Sequence, residues 1–286
     1  MRRLLRWLAY GLGGLLVLVL LFAGFVYAAS AAALRRTYAA EAHPPVVPTD
    51  SAAIAEGGRL ARIFGCYGAC HGENAGGQEI DEPFLAVGAI PDLTRLVREY
   101  DDAQLERVIR HGIMPDGRGV IEFMPAAMFS HLSDADLGAV LAFLRSLPPA
   151  NGPASGLRFR PLMGTMMALG KIGFAPQHLE EPVTHAAPDR ADPVAFGRYL
   201  ALSACTECHG SDLRGQAGGM GPTTPDVRAA AAYSLAQFTR LMRESVPLDG
   251  RDLGLMKSVA QGRFSNFTDT EIAALHAYVR PAAAGP

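Results

Sequence analysis

The chain has 286 residues, room for about two domains at roughly 100–150 residues each. A formal charge of −2 at pH 7 supplies no cationic excess for a nucleic-acid partner, and no Walker loop, strand-associated G-x-G-x-x-G, EF-hand loop or H-E-x-x-H occurs. The 31 glycines and an aromatic content of only 8% suit short helices joined by many turns, around an interior filled partly by something other than large side chains.

Arg2, Arg3 and Arg6 precede an apolar run from Trp7 to about Ala29, which Arg35 and Arg36 close. About 20 apolar residues cross a bilayer as a helix, whereas a cleavable signal has an apolar region of only about 7–15. Residues 1–34 therefore read as a retained transmembrane anchor, its Arg-rich start in the cytoplasm and the remainder outside. The competing reading is a long signal peptide cut near Ala28-Ala29-Ser30-Ala31. Residues 35–50 contain three prolines and are expected to form an extended stalk that holds the next module above the bilayer.

Residues 51–148 then read as a helical module. One helix begins near Asp101 and places Leu105, Val108 and Ile109 on one face. A closing helix runs from Ser133 to Arg145, with Ser133 and Asp136 spaced as a capping box, Leu137, Val140, Leu141 and Leu144 at helical spacing, and Pro148-Pro149 as its stop. Residues 149–192 form a linker whose apolar patch, Pro161 to Gly170, is too short to span a membrane and is expected to pack across two modules. Residues 193–282 read as a second module. Its helices begin at Ser234 (Leu235, Phe238, Leu241, Met242) and at Thr268 (with Glu271, Ile272, Leu275 and Val279), the latter ending at Arg280 before Pro281. Neither module contains a convincing alternating strand pattern, so the predicted class is all-α.

The second module repeats the first. Gly58-Arg59-Leu60 lies eight residues before Cys66, and Gly197-Arg198-Tyr199 eight before Cys205. His71-Gly72 matches His209-Gly210, Gly76-Gly77-Gln78 resembles Leu213-Arg214-Gly215-Gln216, and Pro91-Asp92-Leu93 matches Pro225-Asp226-Val227. Asp116-Gly117-Arg118 matches Asp249-Gly250-Arg251, each followed by a methionine, Met124 and Met256.

Cys205-Thr206-Glu207-Cys208-His209 is C-x-x-C-H, the pattern of covalent haem c attachment. Cys66-Tyr67-Gly68-Ala69-Cys70-His71 is the same pattern lengthened by one residue. In C-x-x-C-H each thiol can add to a haem vinyl group and the adjacent imidazole can ligate iron. The longer spacing keeps both cysteines on one side if it is helical, or Gly65 and Gly68 can absorb the extra residue. Both thioethers or only that of Cys70 would then form. The alternatives explain less. Zinc sites place their Cys pairs about 15–20 residues apart, whereas Cys70 and Cys205 are separated by 135 positions (205 minus 70). Two short disulfides would leave the twin His-Gly unexplained, and a thioredoxin-like motif would need a βαβ setting.

A sixth iron ligand is expected from the repeated Asp-Gly-Arg…Met. Met124 follows His71 by 53 residues (124 minus 71), and Met256 follows His209 by 47 (256 minus 209). Met114, Met128, Met220 and Met242 have no methionine counterpart in the other copy, and Met163, Met166 and Met167 suit linker packing. His111 and His131 flank Met124 but are not repeated, His276 suits packing, and His43, His178 and His185 lie in connecting segments.

On these motifs, from about residue 50 to 282, the chain resembles the bacterial membrane-anchored dihaem cytochromes c, two class I cytochrome c modules in tandem behind one transmembrane helix. The resemblance implies cytochrome c folds whose first and last helices cross near Gly58 with Phe143 and Gly197 with Tyr278. It implies two covalently bound haem c groups held by Cys66, Cys70, His71 and Met124, and by Cys205, Cys208, His209 and Met256. It implies electron transfer on the periplasmic face of the inner membrane, between a dehydrogenase or quinol-oxidising complex and a downstream cytochrome or terminal oxidase. The alternative is a dihaem enzyme, such as a thiosulfate dehydrogenase or peroxidase, with the irregular first site as its reaction centre.

Overall fold

The computed structural model describes residues 2–153, 156–177, 185–217 and 223–280. Pro281, His178 and Met220 lie outside these residues. The apolar N-terminal run forms one continuous helix, α1 (Arg2–Arg35). It is long and apolar enough to cross a membrane, a property that a signal sequence shares. Residues 36–50 have almost no regular structure, yet they do not stand apart as the proline content suggested. The Tyr38 amide donates to the Gly117 carbonyl at 2.8 Å, Thr37 bridges Arg118, Pro45 is buried, and Val47 packs on the core. The prolines keep the segment extended; its apolar side chains then strap it along the first module.

That module comprises α2 (Ser51–Ile63), a hairpin of β1 (Gln78–Glu82) and β2 (Ala86–Ile90), then α3 (Leu93–Glu99), α4 (Asp102–His111), α5 (Ala126–Phe129) and α6 (Asp134–Ser146). The linker adds β3 (Gly156–Phe159) antiparallel to β2, with Ala86 opposite Phe159, and then α7 (Pro161–Ala168). The second module comprises α8 (Pro193–Ala204), α9 (Thr206–His209), α10 (Leu235–Glu244), α11 (Leu255–Gly262) and α12 (Asp269–Val279), with a 3-10 turn at Phe264–Asn266.

The chain is mostly helical, but the sheet was not expected. Gln78–Glu82 is polar and largely exposed on both faces, so it carries no alternation to detect. In the neighbouring strand, a Cβ on Gly88 would lie 1.9 Å from the Gly156 carbonyl oxygen, so close backbone approach requires a residue that weakens strand propensity. The linker patch also differs from expectation. Met163 and Met167 of α7 pack with Ile172 and Phe174 against Ala33, Leu34 and Tyr38, and α7 lies on α1. It fastens the first module to the end of α1, and among the described residues its apolar cluster takes in none of the second module.

In each module the first helix crosses the last: α2 packs on α6, and α8 on α12. The equivalent helices α4 and α10 start with full capping boxes, Asp101 with Gln104 and Ser234 with Gln237. Both end in a left-handed residue with φ 62°, Gly112 and Ser245. Equivalent arginines tie them to the last helix: Arg110 donates to the Leu132 carbonyl and meets Asp134, both at 2.8 Å, and Arg243 repeats this with Phe267 and Asp269 at 3.0 Å. Thr268 and Glu271 form a full capping box, whereas Ser133 accepts from the Asp136 amide without the return bond. Asp136 turns instead to the other module.

The modules meet about an approximate two-fold axis. α2 packs against the Phe264–Asn266 turn, and its counterpart α8 packs against α5, the counterpart of that turn. Arg59 of α2 donates to Glu271 at 2.7 and 2.8 Å and to the Asn266 carbonyl at 3.0 Å. Tyr199 of α8 donates to Asp136, which holds in α6 the place that Glu271 holds in α12, and accepts from the Ser133 amide at 3.1 Å.

Candidate haem-binding sites

The second pentad folds as its spacing dictates. Cys205 ends α8, and the single turn α9 follows, with the Cys208 and His209 amides donating to the Cys205 carbonyl at 3.2 and 2.9 Å. One helical turn thus sets both sulfurs on the same side. The first pentad reaches a similar end without a helix. Gly65, Gly68 and Gly72 all adopt positive φ (78°, 77° and 77°), and the Gly72 amide closes a turn on the Ala69 carbonyl at 2.9 Å. Glycine makes these left-handed steps cheap, so the extra residue is taken up in the loop before Cys70.

From Cys70 onward the surroundings match. His71 Nδ1 lies 2.9 Å from the Pro91 carbonyl oxygen, and His209 Nδ1 lies 2.8 Å from that of Pro225. A carbonyl only accepts, so each Nδ1 carries the proton and Nε2 is the nitrogen left to coordinate. The Gly77 amide donates to the His71 carbonyl at 2.9 Å and the Gly215 amide to that of His209 at 2.8 Å. Gln78 Nε2 donates to the Cys70 carbonyl at 2.9 Å, and Thr224 Oγ1 to the Cys208 carbonyl at 2.6 Å. Burial lowers the pKa of His71, partly opposed by the Pro91 hydrogen bond, and so favours the neutral imidazole that binds metal. The repeated Pro-Asp was visible in the sequence; its carbonyl partner role was not.

None of the four cysteines is in a disulfide. Burial pushes the Cys66 thiol up to about 11 and Cys205 up to about 12, with Arg263 pulling the other way in both. Cys70 and Cys208 are raised as well, by burial and then by the Glu207 carboxylate. These are not activated thiolates of a redox or nucleophilic centre. Arg263 is a residue that sequence reasoning missed. Its Nε donates to the Ile63 carbonyl at 2.8 Å, Nη1 reaches Glu207 at 3.2 Å, and its guanidinium lies over Gly65. One cation therefore touches the chain beside both pentads. It has no repeat counterpart to betray it, because the equivalent residue is Met128.

The repeated Asp-Gly-Arg is a turn. The Arg118 amide donates to Asp116 at 3.1 Å and the Arg251 amide to Asp249 at 3.3 Å, with positive φ at Gly117 and Gly250. Met124 lies in the turn ahead of α5 and Met256 in the first turn of α11. Both are partly buried against the same apolar core as Cys66 and Cys205. Met128 and Met242 are buried within that core, Met114 joins the Asp116 turn through its backbone, and Met163 and Met167 belong to the α7 cluster. His276 packs on Phe238 and pairs through Nε2 with the Tyr233 carbonyl at 2.8 Å. His111 Nε2 lies 3.3 Å from the buried Glu106 carboxylate. His131 sits in the turn between α5 and α6, and the His185 carbonyl accepts from the Asp134 amide.

At the crossings, a Cβ on Gly197 would lie 2.0 Å from the Ala274 carbonyl oxygen and 2.8 Å from Tyr278 Cβ. In the first module those contacts are divided: a Cβ on Gly58 would meet the Phe143 ring at 2.9 Å, and one on Gly57 the Ala139 carbonyl oxygen at 1.9 Å. Gly57 is thus the structural equivalent of Gly197, one residue earlier than the pentad alignment implied.

This donor set fits haem c twice: paired thiols, an imidazole oriented through Nδ1, and a half-buried thioether within each module. The cytochrome c family model matches residues 54–148 and 194–282. The chain is 33% identical over 182 residues to a nicotinate dehydrogenase subunit of Pseudomonas putida, covering 58% of this chain and 15% of that protein. It is 29% identical over 173 residues to the cytochrome c subunit of the quinone alcohol dehydrogenase of Gluconacetobacter polyoxogenes, covering 56% and 36%. It is 27% identical over 183 residues to the fructose dehydrogenase cytochrome subunit of Gluconobacter japonicus, covering 58% and 37%. The matched span is therefore less than two fifths of each of these relatives. With two matched regions, each holding its own cysteine pair and oriented histidine, the chain belongs to the cytochrome c family and carries two covalently bound haem c groups.

Proposed function

We propose that the protein is a membrane-anchored dihaem electron carrier on the periplasmic face of the bacterial inner membrane. In this reading it accepts electrons from a dehydrogenase or quinol-oxidising complex and passes them to a downstream cytochrome or oxidase. The observation that carries it is the matched pair of histidine settings, each Nδ1 held by a proline carbonyl. The relatives' names, which describe subunits of dehydrogenases, support the upstream partner. Each haem, when bound, supplies a one-electron iron couple.

The residues divide the work of holding that couple. Cys66 with Cys70, and Cys205 with Cys208, provide the thioether links. His71 and His209 offer Nε2 to iron, with the Pro91 and Pro225 carbonyls fixing ring orientation and basicity. Met124 and Met256 would offer the thioether ligand, and a His-Met pairing would raise the reduction potential. α1 anchors the chain, with its arginine-rich end in the cytoplasm. An enzyme built on the first haem was motivated by the lengthened pentad. The His71 surroundings repeat those of His209, so the irregularity is absorbed before the iron ligand, which favours carriage over catalysis.

A pyridine haemochrome and a haem-stained denaturing gel should count two covalent haems, and potentiometry should resolve two one-electron steps without carbon monoxide binding at neutral pH. Met124→Ala and Met256→Ala should each lower one potential and open that iron to carbon monoxide. Colourless protein, ready carbon monoxide binding by the unaltered protein, or turnover of thiosulfate or peroxide would refute the proposal.

A further inference from the structure

α1 has 34 residues, about 51 Å at 1.5 Å per residue, while a hydrocarbon core is about 30 Å thick. Part of the helix must therefore emerge. Its exposed aromatic residues say where. Trp7 and Tyr10 pack edge to face near the arginine-rich end, and Tyr27 stands exposed 20 residues beyond Trp7 (27 minus 7). That separation is about 30 Å along the axis, and Trp and Tyr favour the two interfacial layers. The outer boundary thus falls at Tyr27.

α7 packs on α1 at this height. The partly covered residues of α1 are Val26, Ala29, Ser30, Ala31, Ala33 and Leu34, a stripe at helical spacing. A Cβ placed on Gly164 would lie 3.5 Å from Ser30 Oγ and 3.8 Å from Val26 Cγ1. The small residue lets α7 lie close. On the outside of this contact Leu162 and Leu169 are 48% and 54% exposed. Phe84, 70% exposed, sits in the hairpin turn beside Leu85, whose carbonyl accepts from the Arg160 amide at the start of α7. Arg35 at the end of α1 and Lys171 just after α7 are both exposed.

We infer that α7, with Leu162, Leu169 and Phe84, is a foot that inserts into the outer headgroup layer of a phospholipid bilayer and fixes the first module against the membrane. The inference rests on the reading of α1 as a retained span. Whatever packs laterally on Val26 and Ser30 of such a span stands among lipids, and exposed leucines there exchange water for acyl chain. The foot is also joined to the loop that carries Met124. The Ala175 amide donates to the Val120 carbonyl at 2.8 Å, the Glu122 amide to the Gly173 carbonyl at 3.3 Å, and Ile121 bridges Phe174. Insertion therefore sets the height and tilt of that face of the first module.

The test is photolabelling of the full haem-loaded chain in phospholipid nanodiscs doped with a diazirine-bearing phospholipid, followed by peptide mapping. Adducts should appear on α1 and on the peptide containing α7. In a Leu162→Gln/Leu169→Gln variant the α7 adducts should fall severalfold while α1 labelling, haem absorbance and melting stay unchanged. Leu248→Gln, at an exposed leucine of the second module, should change nothing. Labelling of α1 without α7 overturns the foot and leaves the anchor standing. Absence of label from both overturns the span and the foot together.

Discussion

Replacing Gly57 by Ala tests the claim that the helix crossing, nine residues before Cys66 (66 minus 57), sets the first haem site. The new Cβ would fall 1.9 Å from the Ala139 carbonyl oxygen and 2.4 Å from its carbon, where ordinary contact begins near 3.4 Å. Both partners are backbone, so no rotamer change relieves the clash, and α2 and α6 must separate by more than 1 Å. Ala139 and Val140 of α6 and Leu60 and Ala61 of α2 are buried about that crossing. A radial gap of about 0.5–1 Å already forfeits roughly a quarter to a half of each dispersion contact. The cost should reach the top of the usual overpacking range, about 3 kcal/mol. Removing a helical glycine returns about 0.5–1 kcal/mol. The net loss, about 2 kcal/mol, corresponds to a fall of roughly 4–8 °C for the two modules, near 200 residues, melting as one unit. Gly58→Ala is the control, because the atoms nearest its Cβ belong to the Phe143 side chain, which can shift where backbone cannot. Melting followed by circular dichroism on the haem-loaded protein should rank Gly57→Ala well below Gly58→Ala. Equal melting temperatures for the two variants, or a loss under about 2 °C for Gly57→Ala, would refute the reasoning.

Arg263→Met, which installs the residue found at the equivalent place in the first module, should lower both haem potentials. The expected drop is up to about 59 mV, a factor of ten for a one-electron couple. It follows because a cation beside both pentads disfavours the more positive oxidised irons; titration showing only one potential moved would contradict a shared role. Arg59→Ala leaves the Glu271 carboxylate, 3% exposed, without its cross-module partner. A loss of about 2 kcal/mol, below the 3–5 kcal/mol of a fully buried pair because Arg59 is partly exposed, should split one melting transition into two. Glu56 is held below its ordinary value of 4.5, first by the Arg59 hydrogen bond. Its contribution is present above about 4.5 and lost as pH falls through the lowered folded value. Wild type and Glu56→Gln should therefore differ in melting at pH 6 and converge toward pH 3; a difference that widens on acidification would reverse the sign.

What could be read without coordinates was whatever the duplication had kept. The His-Gly ends of the pentads, the Pro-Asp and Asp-Gly-Arg turns and the N-caps of the closing helices are chemically equivalent in both copies, and each makes the same kind of hydrogen bond twice. The hairpin was invisible because Gln78–Glu82 is a polar edge strand, and its partner Ala86–Ile90 is interrupted by Gly88 and pairs on its other side with a linker strand some 70 residues away. The stalk and linker were misplaced for a related reason. Proline and glycine announce that a helix stops, but they do not say what the extended chain lies on. Gly57 shows a subtler limit. Aligning on the cysteines assigns the crossing to Gly58, whereas helix packing counts back from the buried face and selects its neighbour.

The contacts between modules explain why a repeat can be obvious while the interface it builds is not. A two-fold pairing uses the same surface on both partners, and here the surface is the start of the last helix against the first helix of the other copy. On one side Arg59 meets the Glu271 carboxylate; on the other the Tyr199 hydroxyl meets that of Asp136. The acids correspond, but their partners have diverged from a guanidinium to a phenol, so a search for identical residues passes over them. Burial first, and the Asp136 carboxylate second, raise the Tyr199 pKa above its ordinary value, which keeps the phenol a donor throughout the physiological range. The same divergence turned one copy of the α5 position into Met128 and the other into Arg263. Joining the copies in one chain is what permitted this: once the partner is always present at high effective concentration, the two halves of a symmetric contact are free to specialise. One half supplies apolar packing, and the other a charge shared between two haem attachment turns.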